Sequence, residues 1–153
     1  MYVGIDVGTS SVKAVLMDDA HSVVDSESVH LEVSRPNPGW SEQRPQDWWQ
    51  ASDQAVKAIA ARKAKEIAAV TGIGLSGQQH GATLLDKADQ VLRPAILWND
   101  ARSFLECKEI EAGEPRARAI SGNICLAGFT APKLKWVAKH EPKVFDQIAK
   151  VLL

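Results

Sequence analysis

Asp6 ends an apolar run, Val3-Gly4-Ile5, and is followed after Val7 by Gly8-Thr9-Ser10-Ser11-Val12-Lys13. A carboxylate, a glycine, three hydroxyl side chains and an ammonium this close together suit phosphate chemistry. Gly8 lets backbone N–H groups approach an anion closely, and the hydroxyls of Thr9, Ser10 and Ser11 with Lys13 add donors to phosphate oxygens. Asp6 is placed to hold the Mg²⁺ that accompanies a polyphosphate. A P-loop or a dinucleotide fold needs a helix after its glycines, whereas here Val12, Ala14, Val15 and Leu16 resume a strand, so the loop is a hairpin tip. The same residues also allow a plain hairpin turn in which Asp6 is an ordinary turn acid.

A second cluster is Gly74-Leu75-Ser76-Gly77-Gln78-Gln79-His80-Gly81. It follows a strand, where α/β folds carry ligand loops, and the glycines let Gln79 and His80 reach into a cleft unobstructed by their own backbone. The alternative is a polar loop with a surface histidine. A third cluster, Ile96-Leu97-Trp98-Asn99-Asp100-Ala101-Arg102, ends a strand and opens a helix. Asn99 or Asp100 is an N-cap by default, but Trp98 and Arg102 add an apolar plate and a forked donor, which makes Asn99, Asp100 and Arg102 candidates for substrate contact. His21, His30 and His140 have no acid at a spacing that suggests catalysis and are expected to be solvated. Cys107 and Cys125 form no CxxC and have no histidine at ligand spacing, so they are expected to be free thiols, buried or half-buried, in a reducing compartment.

The elements that position these clusters follow from the periodicities. Strands are expected over residues 2–7, 11–18 and 23–33, forming an antiparallel meander with a turn at Asp18-Asp19-Ala20-His21-Ser22. In the third strand Val23, Val29, Leu31 and Val33 share one parity, which Asp25 and Glu27 break. Residues 34–45 hold three prolines and no periodicity, which predicts a loop, with Trp40 packing down over something. A long helix starts at Pro45, with Trp48, Ala51, Ala55 and Ile59 on one stripe, and runs to about Ala68. At that spacing core packing is favoured over sugar stacking for the Trp48-Trp49 pair.

A short buried strand over 70–75 comes next, then strands over 82–86 and 91–98, a helix to about Ala112 and a short element near 115–119. The segment 122–132 reads as a loop, followed by helices over 132–140 and 142–150, each with proline near its first turn. The order makes an α/β protein with a mixed central sheet and flanking helices.

The bulk composition narrows the class. At 153 residues the chain is treated as one domain. Eighteen basic and nineteen acidic residues leave a net charge of −1, so no global field attracts nucleic acid or an anionic membrane. There is no signal-peptide pattern and no run of about 18 apolar residues, so the expected setting is cytoplasmic, with neither nucleic acid nor membrane as partner.

The opening loop resembles the first phosphate loop of the sugar kinases related to actin, hexokinase and the heat-shock chaperones. The resemblance becomes specific through Ser34-Arg35-Pro36, Gly39-Trp40-Ser41-Glu42-Gln43, Pro45 with Trp48-Trp49, Gly77-Gln78-Gln79-His80-Gly81, Pro94 to Arg102, and Gly128-Phe129-Thr130-Ala131-Pro132-Lys133-Leu134. These motifs, in this order along the whole chain, are similar to the N-terminal part of the FGGY carbohydrate kinase family, and within it to members that act on the ketose D-xylulose.

The resemblance implies a ribonuclease-H-like half-domain of the actin and hexokinase type over residues 1–153, truncated, with the C-terminal lobe absent. It implies ATP and Mg²⁺ as cofactors, with Asp6 as the acid at the metal and Gly8, Thr9, Ser10, Ser11 and Lys13 in the phosphate loop. It implies a small ketose, phosphorylated to D-xylulose 5-phosphate, as the substrate of Gln79 and His80. In the ketose kinases that pair is usually Met-His; Gln79 exchanges an apolar contact for an amide, which bears on sugar choice. The base that accepts the hydroxyl proton lies outside this chain, so one lobe by itself is expected to be inactive. A homodimer is compatible with the resemblance. The alternatives are a non-catalytic sugar- or partner-binding half-domain and a kinase for another ketose or polyol.

Overall fold

A computed structural model describes residues 1–153. In chain order the elements are β1 (Tyr2–Val7), β2 (Ser11–Met17), β3 (Val23–His30), β4 (Glu42–Gln43), α1 (Pro45–Arg62), α2 (Ala64–Ala68), β5 (Gly72–Gly77), β6 (Thr83–Leu85), β7 (Ala95–Ile96), α3 (Phe104–Gly113), α4 (Ala117–Ser121), α5 (Thr130–His140), α6 (Pro142–Phe145) and β8 (Lys150–Leu152). Within the chain treated as one domain, the contacts define two compact units, Met1–Val33 with Gln46–Gln78, and Ser34–Pro45 with Gln79–Leu153.

The first unit is a four-stranded mixed sheet in the order β3-β2-β1-β5, antiparallel across β3-β2-β1 and parallel between β1 and β5. The antiparallel meander and the hairpin at residues 8–10 are as expected. Asp18 organises the next turn, its Oδ1 accepting the N–H groups of Ala20 at 3.0 Å and Ser22 at 2.8 Å. One face of the sheet is apolar: Val3, Ala14 and Leu16 pack against Ala55 and Ile59 of α1, and Val12 and Leu31 against Ala51. The i, i+4, i+8 spacing of Ala51, Ala55 and Ile59 puts all three on one side of the helix, and the two alanines allow close approach.

Several boundaries differ from the sequence reading. A register shift between Leu16 and Met17 turns Val24 toward the core and leaves Val23 exposed. Asp25 and Glu27 then share the face of Val29, at the rim of α1, where Arg62 bonds them at 2.9 Å and 2.8 Å. α1 ends at Arg62, because Lys63 leaves helical geometry, and α2 restarts so that Ile67 joins the same core. Trp48 packs as expected, but Trp49 is exposed. β5 lies at residues 72–77 and is not buried, with Ile73 66% and Leu75 79% exposed, because it is an edge strand beyond the cover that α1 gives to β1 and β2.

The second unit is built on two short pairs, β4-β7 and β6-β8, extended by single bridges from Ser34 to Glu42, Ala82 to Ile96 and Leu85 to Val91. Its core is Ala82, Leu84, Ile96, Trp136 and Val137, with Trp40 edge-on to Trp136 at 5.2 Å. Trp40 therefore packs as expected, yet its loop also carries β4. The strand expected over 91–98 shrinks to Ala95–Ile96, since Pro94 has no N–H for a ladder. The last helix stops at Phe145, and residues 150–152 instead pair with β6. Cys107 is buried and Cys125 half-buried, both free thiols, as expected. His140 is stacked on Trp136 at 4.8 Å and lies 3.7 Å from Glu106, so it is less isolated than its spacing suggested.

Candidate functional site

In the first unit, Asp6 is exposed and paired in register with Lys13 on β2 and Ser76 on β5. Alternation along β1 sends Val3 and Ile5 to the core and Tyr2, Gly4 and Asp6 to the opposite face. There Gly4, Asp6, Lys13, Gly74 and Ser76 line a shallow depression of about 350 Å³. The hairpin tip is held by the Gly8 N–H, which donates to Ser11 O at 3.1 Å, and by the Leu31 N–H, which donates to Ser10 O at 2.9 Å. Thr9 Oγ1 lies 3.2 Å from Gln78 Oε1, and the Gln78 N–H donates to Val7 O at 2.9 Å, which ties the tip to the end of β5.

A Cβ at Gly8 would stand 3.0 Å from Ser11 O, so a side chain there would crowd the carbonyl that closes the turn, and it would touch Asp6 Oδ2 at 3.6 Å. No three His, Cys, Asp or Glu side chains are grouped so that they could hold a metal ion. One open carboxylate beside a hydroxyl-rich turn fits Mg²⁺, which keeps much of its water and takes a single carboxylate together with phosphate oxygens.

In the second unit, His80 is half-buried and adopts φ 60, a left-handed backbone that non-glycine residues seldom take. Its ring lies 4.8 Å from Phe129, and together with Ile110, Ile124, Phe129 and Pro132 it borders a largely apolar cavity of about 340 Å³. Gln79 is exposed beside it. The His80 carbonyl accepts Lys133 Nζ at 2.5 Å and Thr130 Oγ1 at 3.3 Å.

Asp100 is not the N-cap of α3, which starts at Phe104. Its Oδ2 accepts the Ser41 N–H at 2.6 Å and Arg102 Nη2 at 2.7 Å, while its Oδ1 accepts the Arg102 N–H and Nε, both at 2.9 Å. Arg102 in turn lies 2.7 Å from Glu42, and its guanidinium carbon sits 3.7 Å above the Trp40 ring. Arg93 joins Glu42 at 2.6 Å and Glu141 at 2.9 Å. The charges of Asp100 and Arg102 are thus spent on a buried frame, whereas Trp98 and Asn99 just before them are exposed.

Sequence reasoning assigned no role to Lys133, Gly128, Glu42 or Arg93. Lys133 is fully buried, and its Nζ also donates to Gly128 O at 2.7 Å. Burial pulls its ammonium down to about 8, with Arg102 adding to the fall and Asp100 opposing it. Its signal was present: Lys133 shares a helix face with Trp136 and Val137, at i+3 and i+4, where an apolar residue belongs. At Gly128 an added Cβ would come within 2.5 Å of Trp98 O, so only glycine permits that approach. Cys107 offers no reactive nucleophile, since burial, with Cys125 and Glu106 beside it, pushes its thiol up to about 12.

A mixed sheet with an acid at the end of its first strand, a hydroxyl-rich hairpin next to it, and helices over one face is the ribonuclease-H-like arrangement of the actin and hexokinase class. The chain belongs to the FGGY family of carbohydrate kinases, whose N-terminal domain it matches over residues 1–153. It is 54% identical over its whole length to a xylulose kinase of Escherichia coli, and covers 31% of that protein. Among solved structures, a kinase of Brucella ovis described as a xyloylose kinase superposes with a TM-score of 0.96 at 57% identity, over 99% of this chain and 31% of that one. A xylulose kinase of Rhodospirillum rubrum superposes with a TM-score of 0.92 at 33% identity, over 97% of this chain and 32% of that one. The chain thus spans about a third of the length of its relatives. No helix is long and apolar enough to cross a membrane.

Proposed function

We propose that the chain is the N-terminal portion of a cytoplasmic, ATP-dependent kinase that phosphorylates D-xylulose to D-xylulose 5-phosphate. The observation that carries this reading is the unbroken match, 54% identical over all 153 residues, to a xylulose kinase. The open carboxylate of Asp6 beside the Gly8 turn gives the match a chemical basis.

In this reading Gly8, Thr9, Ser10, Ser11 and Lys13 hold the nucleotide phosphates through backbone and side-chain donors, and Asp6 holds Mg²⁺ against them. The metal, when bound, neutralises charge on the transferring phosphoryl group. Gln79, His80 and Asn99 offer amide and imidazole groups to the hydroxyls of the ketose. Asp100 and Arg102 serve the same site by keeping the turn that carries Trp98 and Asn99 rigid. Phosphoryl transfer needs the acceptor oxygen in line with the γ-phosphate, so positioning is the main task of these residues. The base that takes the hydroxyl proton belongs to the C-terminal lobe, which this chain does not include.

The test is to assay the whole protein against D-xylulose, L-ribulose, glycerol and gluconate. D-Xylulose is expected to give the highest kcat/KM. ATP consumption with none of them would reject the kinase reading and leave a sugar- or partner-binding module.

A further inference from the structure

Lys133 is a cation, and it is fully buried. A cation in a core disfavours folding unless its donors are satisfied, and an apolar residue of like size avoids that penalty. The donors of Lys133 go to two backbone carbonyls from separate segments, His80 O at 2.5 Å and Gly128 O at 2.7 Å. Both segments border the candidate sugar residues: His80 is itself one, and Gly128 lies against the Trp98 carbonyl so tightly that a Cβ would come within 2.5 Å. Thr130, on the same helix as Lys133, bonds the His80 carbonyl as well at 3.3 Å. His80 holds a left-handed backbone that needs support from its surroundings.

We propose that Lys133 is a positioning residue for the sugar: by bonding the His80 and Gly128 carbonyls it fixes the left-handed backbone of His80, and so the direction in which the imidazole is presented to the ketose. This rests on the assignment of Gln79 and His80 to the ketose. An apolar residue at 133 would fill the volume without anchoring either carbonyl. His80 would then relax toward the ordinary right-handed or extended regions, turning its ring away.

The experiment is Lys133→Met in the whole protein, with the KM for D-xylulose, the KM for ATP, kcat and a crystal structure of the variant. The expected result is a ketose KM raised about tenfold or more, an ATP KM within about twofold of wild type, and His80 no longer at positive φ. Thr130→Val, which removes only the weaker bond, is expected to raise the ketose KM by a smaller factor and serves if Lys133→Met does not fold. A ketose KM unchanged within about twofold, with His80 still left-handed in whichever variant folds, overturns the proposal. His80→Ala separates this from the underlying assignment: if that variant leaves the ketose KM unchanged, the loop does not bind sugar. The His80 backbone in the variant structure then decides by itself whether Lys133 holds it.

Discussion

Asp100 and Arg102 close on one another two residues apart, with the carboxylate accepting the arginine's own backbone N–H, its Nε and its Nη2 between 2.7 Å and 2.9 Å. Both side chains are fully buried, so the pair is a rigid corner and not a solvated ion pair. Removing the Asp100 charge leaves buried Arg102 with only Glu42 and the Trp40 ring beside it. Asp100→Asn is expected to lower the stability of the whole protein by about 3–5 kcal/mol, measured by urea unfolding. A loss below about 1 kcal/mol would mean that Glu42 and the Trp40 ring carry Arg102 without Asp100.

Asp6→Asn should behave in the opposite way. The residue is exposed and has no buried partner to strand, so the melting temperature is expected to stay close to that of wild type. Loss of one charge from the proposed metal site should reduce ATP turnover by orders of magnitude. Near-normal kcat in a well-folded variant would return Asp6 to the status of a turn acid.

His80→Ala is expected to raise the ketose KM about tenfold or more while the ATP affinity changes little. Gln79→Met restores the residue usual in related ketose kinases, and should shift the preference among ketoses by no more than about 1–3 kcal/mol in relative kcat/KM. If His80→Ala weakened ATP binding and spared the sugar, the carbohydrate would have to be placed nearer Trp98 and Asn99.

Lys133 makes a prediction in pH. Its folded value of about 8 lies below the ordinary 10.5, so between these limits the unfolded chain binds more protons than the folded one, and stability rises with pH. The penalty for burying the charged amine is full below pH 8 and is lifted on approaching 10.5, a change on the order of 3 kcal/mol. The measurement is the unfolding free energy of wild type minus that of Lys133→Met from pH 7 to 10.5, which cancels the other titrating groups. A flat difference would show that the amine is not depressed.

Much of the candidate site's local geometry could be read from residue order because its parts are local. The Asp6 hairpin and the Asp18 turn depend on neighbours a few residues away, and alternation alone sends Asp6 to the face opposite Val3 and Ile5. The stripe Ala51, Ala55 and Ile59 likewise declares its helix and its buried side. What the sequence could not determine rests on partners far along the chain. Asp100 looked like a helix cap until Ser41 and Arg102 filled both its oxygens, and Lys133 had no assigned role until the His80 and Gly128 carbonyls met it in the core. β5 read as buried because its residues are apolar, yet its place at the sheet edge leaves Ile73 and Leu75 exposed. Periodicity reports which side of an element is apolar, whereas only the tertiary structure decides what covers that side and which charges are brought together inside it.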